Sequence, residues 1–501
     1  MSTVSVEACP RVPVVLPARA LLSLSLVLFA LLLGFLLNVV GDLLLGDPDT
    51  YWHIAVGRWI LRTGSFPWVD HMSHTFEGHP WIARDWLSEI IFALSYEAGG
   101  WRAVAGVTLG AIALTFTLLF AELARQMRLT TALSIAMLAF ALSSIHFLAR
   151  PHILAYPILV VWLAGLVRAV ESRTPPSLFL LPLMTLWANL HGSFTLGLAV
   201  GGLLAIEAIF ASCPKQRLKT LLRWAIFLGA ATAAGLVTPY GYRSAFVTAQ
   251  VFGGSEALDY MNEWRPMGFS NIFPGPLIVV LVFFGFLVGV KIKFMRLIII
   301  TTMFYMMLVH VRMVPIFALV TPLMIASSLC AQFPFLSVAS QAHNQPIFFD
   351  KLLRASRPHY ALIMSVLIVG PSVMAFYERS IAPRDNISPV AAVDYILRTD
   401  PSGRLYNDFA FGGYLIFRDV KTFIDGRTDQ LFSGGFLART FERSDKLNDE
   451  AFFELLDEYK VSSALVHPNS GAAAKLGRSR SWRREYGDGI AVVYQRARPS
   501  E

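Results

Sequence analysis

The feature that most constrains this chain is a series of long apolar segments that recurs through most of its length. Charged residues make up only 15% of its 501 residues and hydrophobic residues 55%, whereas a soluble chain carries about 25% charged residues. A soluble core cannot hide so much apolar surface, so we predict a polytopic α-helical membrane protein with about eleven transmembrane helices. The apolar runs of spanning length are 21–42, 101–121, 130–148, 152–168, 177–191, 195–211, 222–238, 275–290, 296–310, 314–331 and 360–377.

Basic residues are concentrated in every second segment between these runs. Short loops rich in Lys and Arg stay in the cytoplasm, so the N-terminus is predicted to be cytoplasmic and 378–501 to lie outside. The first apolar run is too long for a signal-peptide core and no small-residue cleavage site follows it, so we interpret it as a retained helix. The basic residues are Arg11, Arg19, Arg125, Arg128, Arg168, Arg173, Lys215, Arg217, Lys219, Arg223, Lys291, Lys293, Arg296, Lys351, Arg354 and Arg357.

The net charge and the cysteines narrow the class of protein further. A net charge of +8 is typical of a nucleic-acid binder, but here the basic residues punctuate the apolar runs and form no basic domain, so we expect no nucleic-acid partner. Cys9, Cys213 and Cys330 are too few and too dispersed for a disulfide framework or a metal knuckle. With the uncleaved first helix, this favours a multi-pass protein of a bacterial inner membrane.

The membrane domain, 1–377, contains two long outer segments, 43–100 and 239–274. In the first, the stretches 50–63 and 84–97 have apolar residues at helical spacing with Trp, Tyr and Arg between them. That pattern is typical of helices that lie in the plane of the membrane interface.

From about residue 384 the composition becomes mixed, which predicts a small soluble α/β domain, 384–501, on the extracytoplasmic (periplasmic) side. Asp425-Gly426-Arg427 follows a predicted strand, where α/β folds place ligand loops, but a turn stabilised by an Asp–Arg pair explains the same residues. The predicted helices are 388–398, 434–445 and 449–459, and the predicted strands are 404–407, 421–424, 463–466, 482–486 and 490–495, with a further segment at 411–417.

Ionisable side chains collect near the outer ends of the predicted helices. Such residues are costly at membrane depth and usually mark function, although a single Arg or His at a helix end often only reaches the headgroups. The Asp47-Pro48-Asp49 motif is the best candidate, because two carboxylates directly after a spanning helix gain nothing from insertion. The others are His53, His146, Arg150, His152, Asn189, His191, His310 and Arg312.

This order of elements resembles the C-type (GT-C) glycosyltransferase superfamily, which includes protein O-mannosyltransferases and aminoarabinose transferases. The resemblance lies in a first helix followed by an acidic pair, Asp47 and Asp49, and then by two interfacial helices. Between those helices, His79-Pro80-Trp81 leads into Asp85-Trp86-Leu87, and a further helix begins after Gly99-Gly100. The sequence departs from better-known members in having Asp-Pro-Asp where they have Asp-Glu.

The resemblance implies an inverting sugar transfer from a polyprenyl-phosphate-linked donor to an envelope glycan, lipid or protein at the extracytoplasmic face. It assigns Asp47 as the base and Asp49 as the second acid of the pair. Arg150, Arg312 and Arg265 are the candidates for binding the donor phosphate, because guanidinium groups suit phosphate geometry. The residues expected to support the site are His53, His152, His191, Asp85 and Glu263.

Whether a divalent cation such as Mg²⁺ or Mn²⁺ is needed stays open; Asp49 and His53 are its candidate ligands, with His71, His74 and His79 nearby in the sequence. Two further functions also stay open. A non-catalytic membrane scaffold would keep the fold, and its function would not require the acids. A transporter or lipid flippase would carry charges at the bilayer midplane and two related halves, and neither is evident.

Overall fold

The structure is a computed structural model that describes residues 18–41, 43–252, 262–270, 273–338, 357–399, 403–432, 434–446 and 449–497. Several sequence predictions lie outside the described residues: those for Cys9, Arg11, Lys351 and Arg354, and those for parts of the outer segment 239–274.

Each of the eleven predicted apolar runs corresponds to a helix. Among the described residues, seven helices are long and apolar enough to cross a membrane, and three more apolar helices are shorter, at 180–190, 275–287 and 294–309; the helix of the seventh run, 217–235, is in neither group. The predicted fold class, a polytopic α-helical membrane protein with a small C-terminal sheet domain, is therefore confirmed. The helices up to the C-terminal domain are α1 Ala18–Val39, α2 Asp49–Thr63, α3 Trp86–Leu123, α4 Leu129–Ser143, α5 Pro151–Ser172, α6 Leu180–Leu190, α7 Phe194–Ala211, α8 Arg217–Gly235, α9 Tyr242–Phe252, α10 Gly275–Leu287, α11 Phe294–Val309, α12 Val314–Gln332 and α13 Pro358–Glu378.

The two helices predicted in the first outer segment are present. The first is α2, which ends at Gly64 in the left-handed conformation. The second is the beginning of α3, which bends sharply at Gly99 and Gly100, where the backbone leaves helical geometry. Gly100 has a φ of 62°, which a side chain would resist, so the Gly-Gly pair separates an outer arm from the spanning part of α3.

The C-terminal domain is a four-stranded sheet with helices. Its strands are β1 Arg404–Asn407, β2 Val461–Val466, β3 Trp482–Gly487 and β4 Val492–Arg496, in the order β1-β2-β4-β3. Strands β1 and β2 are parallel, and β4 is antiparallel to both β2 and β3. Its helices are α14 Val390–Thr399, α15 Gly412–Phe417, α16 Phe436–Phe441, α17 Asp449–Glu458 and α18 Gly471–Arg478.

One predicted strand of this domain, 421–424, is wrong. Thr422 forms one isolated bridge with Ser73 of the first outer segment, Phe423 and Ile424 lie in a bend, and none of these residues joins the sheet. Thr422 N–H donates to the Met72 carbonyl (3.0 Å), and the Thr422 carbonyl accepts from His74 N–H (3.0 Å). The C-terminal domain is thus joined to the membrane domain at the loop that follows this segment.

A buried ion-pair network holds this junction together. Arg427 donates to Asp70 of the first outer segment (2.6 Å) and to both oxygens of Asp425 (2.8 Å each). All three side chains are fully buried. The turn Asp425-Gly426-Arg427 is stabilised by its own Asp–Arg pair. Gly426 also lines the cavity described below, and a role for this loop in ligand binding stays a prediction.

Candidate active site

A cluster of carboxylates and guanidiniums forms where four separated segments meet. Arg150, the residue before α5, donates from Nη2 to Asp49 Oδ2 (2.6 Å) and Asp47 Oδ2 (2.8 Å), and from Nη1 to Glu263 Oε2 (2.6 Å). Arg312, between α11 and α12, donates to Glu263 Oε1 (3.2 Å). The side chains of Arg150, Asp47 and Asp49 are 12 to 14% exposed, so the contacts are only partly open to water.

Local sequence explains how the two acids are presented. Asp49 is the first residue of α2, and the Asp47 carboxylate accepts its backbone N–H (2.8 Å), so Asp47 satisfies one of the free donors at the helix start. Pro151 begins α5, and Arg150 before it is extended, as a residue that precedes proline prefers. Asp47 is thereby committed to backbone and Arg150, whereas Asp49 lies at the surface of a cavity.

That cavity has a volume of about 410 Å³ and lies between the membrane helices and the C-terminal domain. Its polar wall contains eight of the residues that the sequence singled out, contributed by five different parts of the chain. These eight are Asp49, His53, Asp85, Arg150, His152, His191, Glu263 and Arg312.

The cavity also has an apolar wall that reaches the outer surface of the helices. Ala199 in α7 and Thr302 in α11 both line the cavity and are exposed on the surface of these apolar helices. Leu196, Met303 and Met306 continue the same wall. The cavity therefore extends from the charged cluster to the exposed surface of the apolar helices α7 and α11.

Burial and neighbouring charges shift the pKa values of Asp49 and Glu263 in opposite directions. Burial raises the pKa of the Asp49 carboxyl to about 7; Arg150 opposes this rise, and the Asp47 and Glu263 carboxylates add to it. Burial alone would raise the pKa of Glu263 as well, but Arg150 and Arg312 together hold it well below its ordinary value. One acid of the cavity is therefore poised near neutrality while another stays ionised.

The C-terminal domain supplies one wall of the cavity. Gly426, Thr428, Asp429 and Gln430 line it, and Asp429 pairs with Arg84 of the first outer segment (2.7 Å). A β-carbon at position 426 would collide with the Asp49 carboxylate. The backbone of this loop thus packs directly against the acid, as only a glycine permits.

Two of the residues predicted for the site do not line this cavity. Asp47 lies behind the wall and contacts it through Arg150 and the backbone N–H of Asp49. The side chain of Arg265 is exposed, and its backbone carbonyl accepts from Val311 N–H (3.0 Å). Arg265 is therefore outside the candidate phosphate site, and Asp49 is better placed than Asp47 to act on a ligand.

Three charged residues that line the cavity were not predicted from the sequence. Arg84 and Glu89 line it beside Asp85, and Asp429 faces them from the C-terminal domain. Glu89 lies 3.2 Å from His53 Nδ1. The charged pair Arg84-Asp85 in an otherwise aromatic segment was a usable signal, whereas nothing near Asp429 in the sequence predicts its partner.

The two candidate metal ligands both have protein partners. Among the described residues, no group of three or more His, Cys, Asp or Glu side chains is arranged to hold an ion. Asp49 accepts from Arg150, and His53 is paired with Glu89. The need for a divalent cation stays a hypothesis from the sequence.

No protein-family model matches this chain, and no curated protein sequence matches it. Two solved structures are similar to it along nearly their whole length. ArnT from Cupriavidus metallidurans in the apo state has a TM-score of 0.51 at 15% identity, over 94% of this chain and 97% of that one. ArnT from the same organism bound to undecaprenyl phosphate has a TM-score of 0.50 at 14% identity, over 95% and 98%. The chain therefore has the GT-C glycosyltransferase fold that the resemblance in its sequence predicted.

Proposed function

We propose that this protein is a glycosyltransferase that moves a sugar from a polyprenyl-phosphate-linked donor to an acceptor hydroxyl at the extracytoplasmic face of a bacterial inner membrane. The observation that carries the proposal is the cavity itself, in which a carboxyl group with a pKa of about 7 and two guanidiniums share one space with an apolar wall that reaches the exposed surface of α7 and α11. A soluble substrate would not need the apolar wall, and a purely apolar lipid would not need the charges.

The two ends of the cavity suit the two ends of such a donor. An isoprenoid tail is as apolar as the wall formed by Leu196, Ala199 and Met306, and it can enter from the bilayer where this wall reaches the surface of the helices. Arg312 lies at the charged end, where a planar guanidinium can donate to phosphate oxygens. The structure of ArnT with undecaprenyl phosphate, which shares this fold, supports the same kind of donor.

Asp49 is the proposed general base. In one displacement, the acceptor oxygen bonds to the anomeric carbon, the bond from that carbon to the phosphate oxygen breaks, and Asp49 takes the hydroxyl proton. The polyprenyl phosphate leaves with an additional negative charge, which Arg312 stabilises. A single displacement inverts the configuration of the anomeric carbon. This step requires only an acceptor hydroxyl, which a glycan, a lipid or a protein can supply.

One observation favours the alternative of a non-catalytic scaffold. Asp47, Asp49 and Glu263 all pair with Arg150, as acids with a purely structural role would. Such pairs brace the outer ends of α2 and α5 without any chemistry. If cavity variants that remain folded lose donor binding or turnover, the transferase is favoured; if they lose neither, the scaffold is favoured.

Arg312→Ala is expected to weaken the binding of undecaprenyl phosphate by about 10- to 100-fold, because a hydrogen bond to a charged group contributes about 1.5–3 kcal/mol. Binding is measured by native mass spectrometry on the full chain in nanodiscs. Arg265→Ala is the matched control, since this neighbouring arginine lies outside the cavity and its loss should leave the affinity unchanged. Equal affinities for all three proteins would remove Arg312 from the phosphate site.

The rate of transfer at low donor concentration is expected to rise with pH and to level off above about pH 7.5. The proposed base acts only when deprotonated, and its pKa is about 7, so each unit of pH below that value should reduce the rate about tenfold. The measurement is kcat/KM between pH 5.5 and 8.5. A profile that is flat across this range, with the protein folded throughout, would mean that Asp49 does not titrate in the rate-determining state.

A further inference from the structure

The Arg150 guanidinium occupies the centre of a three-carboxylate site. Its Nη2 atom lies between Asp47 and Asp49, at 2.8 and 2.6 Å, and its Nη1 atom lies 2.6 Å from Glu263. The three acids come from two distant segments, and Arg150 itself comes from a third. No other described side chain contacts all three, so their mutual arrangement depends on this one cation.

Carboxylate oxygens are the ligands that Mg²⁺ and Mn²⁺ prefer in proteins, but the three acids here are arranged around a guanidinium and form no ion-binding group. Here the positive charge comes from a group that stays protonated at any pH a protein meets and that donates several hydrogen bonds from one plane. With Arg150 and Arg312 present, the cluster holds three carboxylates and two guanidiniums. Without Arg150 it would hold three carboxylates and one guanidinium, which is a strong attraction for a divalent cation.

We propose that Arg150 is a positioning residue that replaces a divalent cation, holding Asp49 and Glu263 in their working geometry so that the site neither needs nor binds such an ion. This inference relies on the proposed function only for the task that it gives to Asp49. It leaves the donor phosphate to Arg312, because the Nη atoms of Arg150 are both committed to carboxylates.

The proposal is tested by Mn²⁺ binding, which needs no donor or acceptor. The full chain in nanodiscs is stripped with EDTA and titrated with Mn²⁺ at pH 8, and bound ion is measured by electron paramagnetic resonance. Wild type and Asp49→Asn are expected to bind the same amount of Mn²⁺, because the cluster in wild type holds no ion. Arg150→Ala is expected to gain about one Mn²⁺ per chain, and the double variant R150A/D49N is expected to lose it.

Two further variants make the test specific. Arg418→Ala removes an arginine paired with the single carboxylate of Asp394, and it should gain no ion. Arg150→Lys keeps the positive charge and should also gain none. If Arg150→Ala does not fold, Mn²⁺ binding by wild type or by Arg150→Lys at the cluster would contradict the proposal. Mn²⁺ binding by wild type that Asp49→Asn abolishes would overturn the proposal, and so would a folded Arg150→Ala protein that gains no ion.

Transfer activity provides a second readout that a merely structural arginine would not move. Sugar transfer by Arg150→Ala is expected to be lost in EDTA and partly restored by Mn²⁺, and the restoration is expected to disappear in R150A/D49N. The two proposals fail in different ways. Absence of transfer by wild type counts against the proposed function and leaves the Mn²⁺ titration interpretable, whereas an ion in the wild-type cluster counts against the role of Arg150 alone.

Discussion

Replacing Asp49 with asparagine is expected to lower the rate of sugar transfer by about 10²- to 10⁴-fold, which is the usual contribution of a positioned general base. The substitution keeps the size of the side chain and its bond from Arg150, but it removes the group that accepts the proton. The measurement is release of undecaprenyl phosphate from a panel of undecaprenyl-phosphate-linked sugars, followed by mass spectrometry with the purified full chain.

Two other aspartates show whether the effect belongs to the base. Asp419→Asn is a matched control, because Asp419 is an exposed residue of the C-terminal domain and its loss should not affect transfer. Asp47→Asn should cost less than Asp49→Asn, since Asp47 lies behind the cavity wall. If Asp47→Asn abolishes transfer and Asp49→Asn does not, the base is Asp47, as the resemblance in the sequence implied.

Replacing Arg427 with alanine is expected to destabilise the junction between the two domains by about 3–5 kcal/mol, the usual cost of removing one partner of a buried ion pair. The variant leaves Asp70 and Asp425 without their common cation, and both carboxylates are fully buried. The expected results are a lower midpoint of thermal unfolding for the full chain and faster proteolytic release of the C-terminal domain.

Arg478→Ala is the control for this effect. Arg478 also pairs with an aspartate of the same domain, Asp449, but both side chains are largely exposed. Such surface pairs contribute about 0–1 kcal/mol, so this variant should unfold and be cleaved much as wild type does. Equal stabilities for the two variants would mean that the buried network does not hold the domains together.

The membrane part was largely predictable because its signals are local. A run of apolar residues specifies a helix wherever it lies, since the backbone in hydrocarbon must satisfy its own hydrogen bonds. The break at Gly99-Gly100 was readable for the same reason, because a Gly-Gly pair ends regular helix without help from distant residues. Orientation across the membrane rests on charge alone and stays a prediction.

The junction between the domains was not predictable, because its partners lie far apart in the chain. Asp70 and Arg427 are 357 residues apart, and neither shows in sequence that it will be buried. The segment 421–424 has the composition of a strand, yet its backbone partner is the first outer segment. A pattern along one segment predicts that it is extended but cannot say which edge it will join.

The site lies between these two cases. Helix ends carry most of its charged residues, so a count of polar residues at one face of the predicted bundle located them. The proposed assignment of the base to Asp49 and not to Asp47 depends on which of the two bonds to the N-terminus of α2, and that depends on side-chain direction. The role of Asp429 depends on docking of the C-terminal domain, so it follows only from the fold.

The most direct test of the account is a cryo-EM structure of the full chain in nanodiscs with undecaprenyl phosphate. We expect the phosphate beside Arg312, within reach of Asp49, and the first isoprene units between α7 and α11 against Ala199 and Thr302. Lipid density elsewhere, with the cavity closed around an unchanged Arg150 cluster, would contradict the account and favour a scaffold.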